Sequence, residues 1–199
     1  MSNYTVVSNI VTEEEVGQVV EYINSAQFNT KDNHIPLHDP LFAHEFANFG
    51  IVTYGDMPKH VVDIFNKCCI SIQEKVSELS GIEYDPPILG KSYIMQYEAG
   101  SSIGLFYDTS RPANTYRSMM FWSDVQDGAK LKFKNYKLGF DPGIGDCVIF
   151  PESEEYSREI TEVKSNNLYF SDFWNAPKGQ SPYTGLEYKD IYWGNPLWE

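Results

Sequence analysis

The sequence predicts an α+β domain in which two N-terminal helices pack on a sheet of short strands that closes as a jelly roll or barrel. Three observations carry this reading. Apolar residues recur at helical spacing in two segments before Gly81; after Asp85-Pro-Pro87 the pattern changes to short β-rich runs; and clusters of Gly, Pro, Asn and Asp separate those runs. With 199 residues, 42% of them hydrophobic and 15% aromatic, the chain has enough apolar material for a single core.

The first helix opens at Thr12-Glu-Glu-Glu15, a capping-box sequence in which the threonine hydroxyl accepts from an orphan backbone N–H and the last glutamate reaches back to the cap. Val16, Val19, Val20 and Ile23 then mark one apolar face, so the spacing predicts a helix over 13–25. Residues 26–50 show no period and hold Pro36, Pro40, His34, His38 and His44. His38 and Asp39 are adjacent, and neighbours on an extended chain face opposite ways, so the segment reads as a solvated loop rather than a metal site. The longest helix is expected from Met57-Pro58 to Ser80: Val61, Val62, Ile64, Phe65, Cys68, Cys69, Ile72, Val76 and Leu79 supply its broad apolar stripe, and Gly81 its stop. Cys68 and Cys69 are read as small core residues.

Strand-like runs follow at Lys91–Glu98, Arg117–Trp122, Lys130–Lys134, Asp146–Phe150, Glu159–Val163 and Leu168–Trp174. Lys130, Lys132 and Lys134 alternate with Leu131 and Phe133, as a strand with one wet face requires. The expected organisation is one domain over 1–175, helical over 1–85 and β-rich over 86–175, with an aromatic extension over 176–199. Tyr183, Tyr188, Tyr192, Trp193 and Trp198 make that extension too ring-rich for a free tail; it is expected to dock on its own domain or on another chain.

An excess of 28 acidic over 15 basic residues, a formal charge of -13, disfavours nucleic acid and anionic lipid as partners. A protein partner or a second copy of the chain fits better. The N-terminus lacks a basic region followed by an apolar run, so a cytoplasmic rather than secreted protein is expected. Three cysteines without metal-ligand spacing agree with a reducing compartment. Nucleophile elbows, phosphate loops and zinc helices are not seen.

One ordered set of motifs remains. Tyr97-x-x-Gly100 precedes a segment ending at Phe106-Tyr-Asp108; a strand opens at Arg117; Asp127-Gly-Ala-Lys-Leu-Lys-Phe133 follows; then comes Asp141-Pro-Gly-Ile-Gly-Asp-Cys-Val-Ile-Phe-Pro151. Over residues 55–175 this resembles the iron(II), 2-oxoglutarate-dependent oxygenases of the prolyl 4-hydroxylase type, which implies a double-stranded β-helix. The resemblance also implies where the chemistry would sit. The first metal imidazole falls on Phe106, its carboxylate on Asp108, the second imidazole on Arg158, and the cation that binds the far carboxylate of 2-oxoglutarate on Leu168. A phenyl ring and a guanidinium have no lone pair to give a metal, so only Asp108 keeps a ligand type.

The residues therefore point to a non-catalytic descendant of the oxygenase fold serving as a binding or assembly module, with no cofactor expected. Because such oxygenases abound in bacteriophages, a structural part of a virion is one concrete version. Two variants of the old site are weighed beside it: an ion pair between Arg158 and Asp108, and a magnesium or calcium site drawing on Glu152, Glu154 or Glu155, which otherwise read as a solvated acidic loop. The alternative function is an active iron(II)/2-oxoglutarate hydroxylase that uses Asp108 and recruits His34, His38 or His60.

Overall fold

The computed structural model describes residues 4–28, 49–87, 92–106, 111–123, 130–135, 138–164 and 167–182. The first helix, α1, spans Glu13–Ser25 and is held at its start by the expected reciprocal cap: Thr12 N donates to Glu15 Oε2 at 2.8 Å and Glu15 N donates to Thr12 Oγ1 at 3.2 Å. Glu15 also accepts from Lys67 of the second helix, α2, which spans Lys59–Ser80. That bond, followed by the Thr12 backbone N–H, holds the Glu15 carboxyl below its ordinary value. Gly81 ends α2 at φ 77°, a left-handed conformation that costs glycine little.

Ten strands are described. They are β1 (Thr5–Val7), β2 (Phe49–Thr53), β3 (Tyr93–Tyr97), β4 (Ile103–Phe106), β5 (Tyr116–Phe121), β6 (Leu131–Phe133), β7 (Leu138–Phe140), β8 (Cys147–Pro151), β9 (Arg158–Ile160) and β10 (Leu168–Asn175). Six form one sheet in the order β1-β8-β5-β10-β3-β2, and four form a second in the order β4-β9-β6-β7. All described pairings are antiparallel. This is the expected α+β architecture, a jelly roll with two helices against one sheet.

The larger sheet carries a core on each face. One lies under the helices, where Phe65, Cys68 and Ile72 meet Ile94, Met120 and Trp122. The other fills the jelly roll, where Tyr97, Met119 and Phe170 meet Leu131, Phe133 and Ile160 of the smaller sheet. Strand β5 explains the division: all six of its residues are buried, because alternate side chains enter opposite cores. The expected lysine alternation also appears, with Lys132 exposed between buried Leu131 and Phe133.

All three cysteines are reduced and buried in the helix-side core. Burial pushes the Cys69 thiol up to about 12 and raises Cys68 and Cys147 as well. After β10 the chain crosses back over the end of α2. Lys178 N donates to Glu83 O at 2.9 Å, Gly179 N to Asp85 Oδ2 at 2.7 Å, and Asp85 N to Ala176 O at 3.2 Å. The start of the C-terminal extension is thus tied to its own domain. Tyr183, Tyr188, Tyr192, Trp193 and Trp198 lie outside the described residues.

Two features differ from the sequence-based expectation. The segment expected to be helical over 1–85 also contributes β1 and β2, the two edges of the larger sheet. Both are edge strands whose partners lie far away in sequence, so no local alternation announces them. Strands β4 and β7 also fall outside the expected runs: Ile-Gly-Leu-Phe and Leu-Gly-Phe are short and interrupted by glycine, and the pairing of β4 with β9 shifts register between Ile103 and Phe106.

Candidate functional site in the jelly-roll interior

Strands β4 and β9 place Phe106 directly opposite Arg158. The two positions to which the resemblance assigns imidazoles are therefore cross-strand neighbours. Arg158 is fully buried, and its guanidinium forks onto Glu152, with Nη1 to Oε1 at 2.6 Å and Nη2 to Oε2 at 3.0 Å. The same guanidinium lies 4.9 Å from the centre of the Phe150 ring. Glu152 sits just past β8 and is itself anchored, its N–H donating to Thr115 O at 2.9 Å.

A second buried pair stands beside the first. Arg117 of β5 and Asp172 of β10 bond through Nε to Oδ1 at 2.7 Å and through Nη2 to Oδ2, and Tyr93 Oη approaches Asp172 at 3.4 Å. Arg117 Nη1 lies 3.9 Å from Glu152 Oε2, so the four charges run Asp172, Arg117, Glu152, Arg158 with alternating sign. The strand period explains their location: Arg117 shares a face with Met119 and Phe121, and Asp172 with Phe170 and Trp174, all turned into the jelly roll. Each ion enters a low-dielectric space at a cost that only close partners offset.

The two guanidiniums respond oppositely. For Arg117, burial works against the charge but is outweighed by Asp172 and then Glu152, so its pKa rises. For Arg158, burial acts first and the neighbouring Arg117 charge second, and Glu152 offsets only part, so its pKa falls. Arginine begins so far above neutrality that both remain charged.

At Arg158 and Leu168, two of the positions that the resemblance assigns to iron and 2-oxoglutarate, the residues present do not fit those groups. Arg158 is a buried cation already engaged by a carboxylate, where a metal would need a lone pair. Leu168 is buried in the apolar core opposite Tyr97, where the keto-acid's far carboxylate would need a cation. The phenyl side chain of Phe106 cannot ligate, and Asp108 lies outside the described residues. The described carboxylate partner of Arg158 is Glu152; the weighed pairing of Arg158 with Asp108 falls outside the described residues.

The acidic loop also differs from expectation. Glu152 is turned inward and only 8% exposed, whereas Glu154 and Glu155 are exposed in a 3-10 turn, so the three do not converge on one cation. Among the described residues no group of three His, Cys, Asp or Glu is placed to hold a metal ion. His60 is exposed on the first turn of α2, on the helix side of the larger sheet and away from the jelly-roll interior. His34, His38 and His44 lie outside the described residues. Among the described residues no helix is long and apolar enough to cross a membrane.

Sequence reasoning missed Arg117, Asp172 and the inward turn of Glu152. A signal existed: an arginine on the apolar phase of Arg117-Ser-Met-Met-Phe121 and an aspartate on that of Phe170-Ser-Asp-Phe-Trp174 are the marks of a buried ion pair.

Neither a family model nor a curated protein matches the sequence. Among solved structures, the chain is similar to a prolyl hydroxylase from Trichoplax adhaerens in complex with a hypoxia inducible factor peptide fragment, at TM-score 0.67 and 14% identity, covering 87% of this chain and 84% of that one. It is similar to HygX from Streptomyces hygroscopicus with nickel and 2-oxoglutarate bound, at TM-score 0.63 and 9% identity, covering 92% and 86%. The viral collagen prolyl hydroxylase of Paramecium Bursaria Chlorella virus-1 aligns at TM-score 0.59 and 16% identity, covering 88% and 97%. The chain thus has the fold of the 2-oxoglutarate/iron(II) oxygenases. At these identities the likeness speaks to the fold alone.

Proposed function

We propose that this chain is a non-catalytic protein on the oxygenase fold, retained as a binding or assembly module. The observation that carries this reading is the Arg158–Glu152 pair. It puts a buried cation, forked onto a carboxylate, where the resemblance calls for an imidazole, and it joins the two sheets by charge contact, since Arg158 belongs to the smaller sheet and Glu152 extends a strand of the larger one. The partner is a protein or a second copy of this chain, engaged through the rings at Tyr183, Tyr188, Tyr192, Trp193 and Trp198. A component of a virion, or otherwise of the cytoplasm, suits such a role.

Anaerobic titration with iron(II) and 2-oxoglutarate tests the reading. The expected result is no stoichiometric binding and no charge-transfer absorbance of a chelated keto-acid. A chelate band at one equivalent would establish the active hydroxylase instead. For the assembly role, deletion after Pro182 keeps every described contact of the domain, so loss of a complex from that variant would place the interface in the ring-rich segment.

A further inference from the structure

We propose that the end of the jelly roll beside Trp174 is a binding site for a small carboxylate, built from Trp174 Nε1, the Thr115 hydroxyl and the Arg111 guanidinium. Trp174 is 3% exposed and Thr115 1% exposed, yet among the described residues neither the indole N–H nor the threonine Oγ1 has a hydrogen-bond partner. A buried polar group without a partner costs about 1–3 kcal/mol, and groups left so in a native fold call for an explanation.

The register brings the two together. Trp174 pairs with Arg117 across β10 and β5, and Thr115 lies two residues back on the same phase as Arg117. Arg111 sits with its guanidinium carbon 4.5 Å from the centre of the Trp174 ring and donates through Nη1 to Pro182 O at 3.4 Å. The loop that carries Arg111 and Thr115 is shaped by a turn in which Thr115 N donates to Pro112 O at 3.3 Å, Asn114 takes φ 66°, and Tyr84 Oη donates to Asn114 O at 2.8 Å. Arg111 is half-buried, which puts the surface within reach of the orphan donors.

The donor chemistry selects the ligand. An indole N–H and a guanidinium donate and never accept, and a hydroxyl can donate, so the complement is an acceptor-only group with negative charge. The chain's net charge of -13 opposes acidic macromolecules at long range, which favours a small carboxylate over an acidic chain. The site is separate from the position assigned to the keto-acid: Leu168 and Trp174 stand near opposite ends of β10, about 20 Å apart at strand rise. This inference rests on the binding-module reading and gives that module a ligand class.

The test is nitrogen-15 NMR of the full chain, with the Trp174 indole resonance assigned by its loss in Trp174→Phe. Sodium acetate and glutarate are titrated against sodium chloride at matched ionic strength, without metal. A saturable shift with the carboxylates alone is expected, weakened about tenfold or more in Arg111→Gln and less in Thr115→Val. An unmoved resonance, or an equal response to chloride, overturns the site and leaves the non-catalytic reading standing. A response of 2-oxoglutarate that appears only with iron(II) overturns both. Should Arg111→Gln fail to fold, Thr115→Val and the chloride control still decide.

Discussion

Arg158 and Glu152 form a two-pronged buried pair, at 2.6 and 3.0 Å, between β9 of one sheet and the end of β8 in the other. Removing one partner strands the other as an unpaired charge. Glu152→Ala is expected to cost about 3–5 kcal/mol. The double variant Arg158→Met, Glu152→Leu should recover much of that, because an apolar replacement avoids the desolvation of both ions. Denaturant titration of the single and double variants checks this; a Glu152→Ala cost within about 0.5 kcal/mol would show the pair to be structurally idle.

Trp122 Nε1 donates to Ser171 Oγ at 2.8 Å in the helix-side core, and both residues are buried. Ser171→Ala leaves the indole N–H unpaired, with an expected loss of about 1–3 kcal/mol. Ser171→Thr, which keeps the hydroxyl, should cost less if the bond matters more than the volume. Equal losses in the two variants would argue against the bond.

Gly145 adopts φ 85°, and a Cβ there would meet Val16 Cγ2 at 3.1 Å. Gly145→Ala adds a left-handed strain of about 1–3 kcal/mol to a contact against α1. Thermal melts of Gly145→Ala alone and with Val16→Ala separate the two parts. The strain should persist in the double variant, and full rescue would assign the whole effect to crowding.

Glu15 is held below its ordinary carboxylate value by Lys67 and the helix cap. A depressed folded-state pKa contributes stability above the unfolded pKa, and that contribution fades as pH falls through the folded value. Stability at neutral pH relative to acid should therefore shrink in Glu15→Gln, giving a flatter acid limb. An unchanged pH profile would show that the pair is screened by solvent.

Burial raises all three thiols, with Cys69 at about 12. Native protein at pH 8 should react with Ellman's reagent only as fast as it opens, and all three cysteines should label at once in denaturant. Fast labelling of one thiol in the native state would contradict the packing of the helix-side core.

How much of this was legible depends on where each signal resides. The helices were readable nearly to the residue, 13–25 against Glu13–Ser25 and an end at Ser80, because a capping box and a C-terminal glycine are local chemistry. Central strands such as β5 and β10 were readable through short runs rich in aromatic residues or methionine between turns. Edge strands β1 and β2 were not, since their identity comes from distant partners such as Ile149 and Met95. At the site, spacing located Arg158, but the carboxylate it meets was a question of side-chain direction at Glu152. A short acidic run looks solvated unless the chain's path past Pro151 is known.

The order of strands has a bearing on how the chain is made. Strand β10 is the last in sequence yet lies inside the larger sheet between β5 and β3, while β1, the first, waits for β8. A ribosome must therefore release nearly the whole domain before its principal sheet can assemble. Until then the helices and early strands expose faces that the finished fold covers, which makes the nascent chain a natural client for chaperones and predicts slow folding dominated by contacts remote in sequence.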